Sequence, residues 1–492
     1  MIRPLAAIAP AILLVASLSA AAQAQPRTWG SPTLVQISAD TLTNTGAEHA
    51  TELESDTFAY GSTIVAAFQV GRFSSGGASA IGWATSTDAG ATWSSGYLPG
   101  ITQPTNPGNP FPRASDPAVA YNAKYGEWLV NSLPVPPGYS DPAVIVSRSV
   151  DGINWDNPIN VSNGPIGSDK NWITCDNNSG SPYYGNCYVE WDDGNGTIQV
   201  NTSSDGGKTW STAHAGGNGA NGLGGQPLAQ PNGTVVIPFS DGGANILAIV
   251  STNGGASWSN AVEVASNPSH NVATMRAPAL PTAAMDAAGK IYVAWSDCAF
   301  RAGCKSNDIV YSTSTDGVKW TAKTRVPIDH RKSTVDHFLP GLGIDPATSG
   351  RTAHLALTYF YFPNAACTVQ TCRLYTGYIS SDSGGRTWNP PTALNGPMDV
   401  NWLANAGGYF VGDYLATAFT SDGLAHSAFS VAFAASKGLN EAMYTTATGL
   451  AVPHSRIQYS SAGELPYPNA HSDHPRIKLP PKADAAKAVD ND

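Results

Sequence analysis

Short apolar stretches such as "TIVAAFQV", "GTIQVNTS" and "NDIVYSTS" recur along the chain, separated by clusters of Gly, Asp, Asn and Ser. Brief apolar runs bounded by turn formers predict β-strands joined in hairpins. Seven longer segments each read as two strands around a short turn. They are "DTFAYGSTIVAAFQV", "SDPAVAYNAKYGEWLVNS", "KNWITCDNNSGSPYYGNCYVEWD", "GQPLAQPNGTVVIPFSD", "APALPTAAMDAAGKIYVAWSD", "FLPGLGIDPATSGRTAHLALTYF" and "GDYLATAFTSDGLAHSAFSVAF".

The first six precede related polar stretches: "STDAGATW" (86–93), "SVDGINW" (149–155), "SSDGGKTW" (203–210), "STNGGASW" (251–258), "STDGVKW" (314–320) and "SDSGGRTW" (381–388). The seventh is followed by "NEAMYTTAT", which carries no such stretch. Their tryptophans are 62, 55, 48, 62 and 68 residues apart, a period that suits a unit of four short strands. Asp or Asn before Gly supplies a side-chain acceptor and a positive-φ residue for a tight turn, and Ser adds a second acceptor. The Trp then re-enters a strand, which places each stretch on the hairpin of the outer two strands.

The pattern Ser-x-Asp-x-Gly-x-Thr-Trp resembles the Asp-box, or BNR repeat, of the sialidase-like β-propellers. Two copies are one residue short, with Asp151-Gly152 and Asp316-Gly317 adjacent, and two replace the aspartate, with Asn253 and Ser383. The resemblance implies an all-β propeller with the boxes as peripheral scaffold. Seven blades are favoured, the last without a box; six result if 34–70 and 400–447 combine into one closing blade. It also implies a carbohydrate partner and a glycosidase of the exo-α-sialidase type, with three arginines on the substrate carboxylate, a Tyr–Glu nucleophilic pair and an aspartic acid/base. The family's Phe/Tyr-Arg-Ile-Pro motif is missing: "FPRASDP" holds Arg113 without Ile-Pro and follows the first box. Glu190 in "YVEWDD" is the best candidate for the glutamate partner.

Composition agrees with turn-rich β-structure, at 50 Gly and 36 Pro with 13 Trp and 19 Tyr. Residues 1–24, with Arg3, an apolar run and Ala22-Gln23-Ala24, read as a secretory signal, so the chain is expected to be secreted or periplasmic. No later segment approaches the roughly 18 apolar residues of a spanning helix. A single domain is expected over 25–467, a charged and Pro-rich disordered tail over 468–492, and a monomer. The cysteines fall into close pairs that predict local disulfides: Cys175 with Cys187, Cys298 with Cys304, and Cys367 with Cys372. With 26 Lys+Arg against 36 Asp+Glu and no basic run, a nucleic-acid partner is disfavoured. No cofactor motif is present; a calcium ion would find oxygen ligands at Asp176, Asn177 and Asn178, or at Asp192 and Asp193.

In a propeller, the residues just before each inner strand converge on one funnel. Here those positions hold Glu52, Glu54 and Asp56, then Arg113 and Asp116, Asp169 and Lys170, Gln226, Arg276, Asp336 and His337, and finally Asp413 and Tyr414. Strand-entry caps and salt bridges around a channel would use the same residues. The functional expectation is a polar pocket in which Arg113 and Arg276, with Lys170, Glu54 and Asp169, bind substrate, and Arg72 or Arg301 adds a third arginine. Asp116 and Asp336 are candidate acid and base, Tyr414 beside Asp413 a candidate nucleophile, and His337 an alternative proton carrier. The same residues suit a polysaccharide lyase, and a non-catalytic carbohydrate- or protein-binding propeller is the third reading.

Overall fold

The computed structural model describes residues 32–139, 143–162, 167–454 and 477–478. The expected signal over 1–24 lies outside the described residues, as does the expected tail over 468–492 apart from 477–478. Among the described residues the chain is all-β, with helical geometry confined to four short 3-10 turns. No helix there is long and apolar enough to cross a membrane.

After β1 (Leu34–Gln36) come groups of four strands, each running up and down in chain order. The first is β2 (Glu48–Tyr60), β3 (Thr63–Arg72), β4 (Ala78–Ser86) and β5 (Ser94–Tyr97). The second is β6 (Arg113–Asn122), β7 (Glu127–Val135), β8 (Ile145–Ser149) and β9 (Ile159–Asn160). The third is β10 (Asp169–Cys175), β11 (Cys187–Asp192), β12 (Ile198–Ser203) and β13 (His214–Ala215). The fourth is β14 (Leu228–Ala229), β15 (Val235–Ser240), β16 (Asn245–Ser251) and β17 (Val262–Ser266). The fifth is β18 (Thr282–Met285), β19 (Ile291–Asp297), β20 (Asp308–Ser314) and β21 (Thr324–Arg325). The sixth is β22 (Asp336–Ile344), β23 (Leu355–Phe362), β24 (Arg373–Ser381) and β25 (Thr392–Asp399).

The remainder is more broken. A hairpin of β26 (Ala404–Asn405) and β27 (Tyr409–Phe410) precedes β28 (Ala418–Phe419), which pairs with β29 (Ala425–His426). Then β30 (Phe429–Ala432) pairs with β31 (Glu441–Thr446). The outer partner of β31 is β1, in the register Leu34 opposite Thr446 and Gln36 opposite Tyr444, so the start of the described chain completes the last group. β32 (Ile477–Lys478) adds in parallel to β1.

Successive first strands are neighbours in a cycle: β2 touches β6, then β10, β14, β18, β22 and β28 follow, and β28 returns to β2. The apolar residues of each group pack against the next, as Val65, Ala67 and Trp83 do against Val119, Trp128 and Val130.

The six Trp stretches are the turns between third and fourth strands, as their residue chemistry predicts. In the stretch at 203–210, the Ser203 hydroxyl accepts from Gly207 N (2.9 Å). Asp205 accepts from the N–H groups of Lys208 and Thr209 (both 3.0 Å), and Trp210 Nε1 donates to Gly207 O (3.2 Å). Where the aspartate is replaced, Asn253 accepts from Ser257 N (3.0 Å) and Ser383 from Thr387 N (2.9 Å), so any short acceptor closes the turn. Gly207, at φ +80°, rests on the preceding group: a Cβ there would lie 2.4 Å from Leu129 Cδ2. Gly152, Gly255 and Gly317 abut the groups before them in the same way, and Gly90 of the first turn abuts His426 of the last group.

The three disulfides join Cys175 to Cys187, Cys298 to Cys304 and Cys367 to Cys372, the local pairs expected. Such bonds persist in oxidising compartments.

Candidate functional site

Four first strands share one backbone irregularity. In β2, β6, β10 and β22 the register slips by one residue, between Leu53 and Asp56, Ser115 and Ala118, Asp169 and Trp172, and Phe338 and Gly341. The extra residue in each is left-handed: Glu54 (φ 58°), Asp116 (φ 50°), Lys170 (φ 44°) and Leu339 (φ 48°). A bulge of this kind re-aims a side chain and costs about 1–3 kcal/mol for a non-glycine residue. Three of the four aim a charged group at a common point.

Lys170 is the hub of that point. Its Nζ lies 3.0 Å from Asp116 Oδ2, 2.9 Å from Asp413 Oδ2, 3.6 Å from Asp169 Oδ1 and 4.0 Å from Glu54 Oε1. Arg276 grips Asp413 through two donors, Nε to Oδ1 at 3.1 Å and an NH2 contact to Oδ2. Arg72 donates to Gln69 Oε1 (2.5 Å) and stands 3.9 Å from Glu54, and Gln69 in turn bonds Glu54. Both guanidiniums also lie over the Phe410 ring, at 4.9 Å for Arg72 and 4.8 Å for Arg276.

The charges sort the carboxyls. Burial, then the charges of Asp116 and Asp413, pushes Glu54 up to about 8. Burial opposes ionisation of Asp116 as well, but the Lys170 ammonium and the Ser115 hydroxyl overcome it and hold that group at about 2. Lys170 is itself desolvated, yet its carboxylates keep it protonated well above the ordinary lysine range.

Beside this hub is a cavity walled by Lys170, Asn171, Trp172, Gly224, Gln226, Leu280, Pro281 and Tyr414. Trp172 meets Tyr414 edge-on at 5.0 Å. Next to it Asp169, at the start of β10, stands directly opposite Asp192, at the end of β11. The Asp169 side chain is 59% exposed, whereas Asp192 is buried with Oδ1 unpartnered. Burial and then the Asp169 charge push Asp192 up to about 8, so it carries a proton at neutral pH. Glu190, two residues back, is fully buried and pushed up by the same burial and by Asp192. Gly225 lies so close that a Cβ would fall 2.5 Å from the Glu190 carboxyl.

The structure thus brings Glu54, Asp116, Asp169, Lys170, Arg276, Asp413 and Tyr414 together. Tyr414 is buried and donates to Pro117 O (3.0 Å); burial, with Glu54 and Asp116 next, pushes its hydroxyl well above the ordinary range. Arg113 turns outward from the hub, over the Phe73 ring at 3.9 Å, and donates to Ser75 and Gly76. Asp56 and Gln226 act as strand-entry caps: Asp56 accepts from Val119 N (2.6 Å) and Gln226 from Ala283 N (2.8 Å).

His337 joins a different cluster. There Arg301 meets Asp308 (2.5 Å) and Asp329 (2.7 Å), and Arg325 meets Asp308 (2.7 Å) and also Asp329. Arg301 was expected as a third arginine of the pocket; its guanidinium belongs to this cluster. Burial pushes His337 down, toward the neutral ring. Asp308, Asp329 and His337 have metal-ligand spacing, but the two guanidiniums already neutralise both carboxylates. Asp336, next in chain to His337, pairs with His270, which the sequence reading did not single out.

Of the oxygens expected for calcium, those of Asp176 and Asp193 hold turns, Asn177 Oδ1 ties its loop to the preceding group, and Asp192 Oδ1 is the unpartnered atom described above. Asp176 accepts from Asn178 N (3.0 Å) and from Ser181, and Asn177 Oδ1 from Ala123 N (2.8 Å). Asp193 accepts from Asn195 N (2.9 Å) and Thr197 N (3.1 Å).

No family model and no curated protein matches the chain. Solved structures similar to it include the NanB sialidase of Streptococcus pneumoniae, 14% identical with a TM-score of 0.41, covering 83% of this chain and 70% of that one. A polysaccharide lyase described as a PL25 ulvan lyase is 11% identical with a TM-score of 0.48, covering 86% of this chain and 98% of that one. The α-L-arabinanase of Penicillium chrysogenum is 15% identical with a TM-score of 0.37, covering 55% and 79%.

Proposed function

We propose that this chain is an exported, sialidase-like glycoside hydrolase on a seven-bladed β-propeller, with Asp-box hairpins at the rim and Asp169 and Asp192 as its paired carboxylates. The cycle of first strands from β2 through β28 supports the ring and its count, with β1 completing the seventh blade. The observation that carries the chemistry is the opposed pair Asp169–Asp192, whose Asp169 stands 3.6 Å from Lys170, itself a wall of the cavity.

Glycoside hydrolysis needs one carboxyl that gives a proton to the leaving oxygen and a second that is ionised. Asp192, protonated up to about 8, is the acid. Asp169 is the base or nucleophile: burial pushes its carboxyl up, and the Lys170 ammonium 3.6 Å away acts in the opposite direction, toward the ionised form. In this reading Asp116 and Asp413 anchor Lys170 and Arg276 and do not themselves touch the sugar. Arg276, 37% exposed and held by Asp413 through Nε and one NH2 contact, is the reachable cation of the hub for an acidic or acetylated sugar.

The test is release of fluorophore from a panel of N-acetylhexosaminides, neutral glycosides and a sialoside, with the wild type beside Asp169→Asn and Asp192→Asn. Turnover lost in both variants is the expected result. Formation of an unsaturated uronate chromophore from a uronate polymer, or no turnover of any glycan, overturns the proposal.

A further inference from the structure

The connection between β17 and β18 supplies Arg276 to the hub and Leu280 and Pro281 to the cavity. It also carries His270, whose surroundings are those of an oriented imidazole. Asn307 clamps its backbone from both sides: His270 N donates to Asn307 Oδ1 (2.7 Å), and Asn307 Nδ2 donates to His270 O (2.8 Å). The same residue fixes the carboxylate that faces the ring, since Asn307 N donates to Asp336 Oδ1 (2.7 Å). The second carboxylate oxygen, Asp336 Oδ2, lies 3.3 Å from His270 Nδ1. Asp336 is fully buried, while the His270 side chain is 26% exposed. Among the described residues Nε2 of His270 has no partner.

These contacts divide the labour within one unit. Asn307 fixes loop and carboxylate together, Asp336 fixes the ring, and the side chain stays 26% exposed. A carboxylate on Nδ1 selects the tautomer with a proton on Nδ1 and a lone pair on Nε2, and it stabilises the imidazolium formed when Nε2 takes a proton.

We propose that His270 is a proton-accepting group held on the same connection that supplies Arg276, Leu280 and Pro281, with Asp336 and Asn307 as its positioning residues, and that it takes a proton from a hydroxyl or water of a bound glycan. The O–H bond breaks, the proton goes to Nε2 and the oxygen keeps the electron pair; the imidazolium returns the proton to solvent. The glycan as substrate rests on the function proposed above, whereas the oriented imidazole does not.

The two parts are separable by experiment on the full chain. Two-bond proton–nitrogen NMR of protein labelled with 15N-histidine is expected to show His270 as the Nδ1–H tautomer at neutral pH, and Asn307→Ala is expected to lose that preference. An Nε2–H tautomer in the wild type overturns the dyad whatever the enzyme acts on. On a glycoside that the wild type hydrolyses, His270→Gln is expected to lower kcat about 100-fold or more, with KM and melting temperature unchanged. Full kcat in His270→Gln, with the tautomer as expected, overturns the catalytic role alone. No turnover of any glycan by the wild type overturns the function on which that role rests.

Discussion

Among the described residues, two buried ion networks differ in how they meet solvent, and the function proposed above rests on that difference. Around Lys170, carboxylates from three groups of strands and the 413 segment meet one ammonium and Arg276. Around Arg301 and Arg325, two carboxylates meet two guanidiniums, each side chain at most 7% exposed. The second network is closed: its charges balance, and no side chain of it lines the cavity beside Lys170. The first has an open edge at Asp169 and Arg276, whose side chains are 59% and 37% exposed. Burial of charge is common to both networks; exposure of charged side chains is what separates them.

The largest expected effect breaks the comparison outright if it fails. Asp192→Asn is expected to lower kcat by about 100- to 10⁴-fold, the usual worth of a positioned general acid. Asp308→Asn should leave kcat per folded molecule unchanged. Equal losses in the two variants, measured on one glycoside, would erase the distinction.

Next in size is stability. Arg301→Met leaves Asp308 and Asp329 with one guanidinium between them and should cost about 3–5 kcal/mol in denaturant unfolding, with turnover retained in the folded fraction. Lys170→Met should cost a similar amount and abolish turnover too. A smaller loss, about 1–3 kcal/mol, is expected for Gly207→Ala, where the new methyl group meets Leu129 at positive φ. That variant should melt earlier with unchanged kcat below its transition, because the turn contributes no wall to the cavity beside Lys170.

The smallest effect is on pH. The protonated form of Asp192 is present below about 8, so the rate is expected to halve as pH rises through that value. Linkage gives stability the same sign: a carboxyl that keeps its proton in the folded state and loses it in the unfolded state destabilises the fold as pH rises from the ordinary carboxylate range toward about 8. Glu52, pushed up to about 8 by burial, adds to that slope, and Glu52→Gln should flatten it in melting curves.

Much of the scaffold was legible because its signals are local. A Ser, an acceptor two residues on, a Gly and a Trp specify a turn regardless of what surrounds it. Position within each repeat likewise pointed to Glu54, Asp116, Lys170 and Asp413. What could not be read was the direction of each side chain. Arg113 heads the same strand as Asp116, yet only the bulged residue turns inward. Asp192 escaped notice as an acid because it ends a second strand instead of starting a first one, and register alone brings it opposite Asp169. His270 lies in a connection without periodicity, and its partner Asn307 comes from another loop 37 residues away.

The pairing of β1 with β31 has a consequence for biogenesis. Residues near position 35 have no strand partner until residues near 445 have been made, so the terminal sheet must wait, incomplete and with one edge bare, for most of translation.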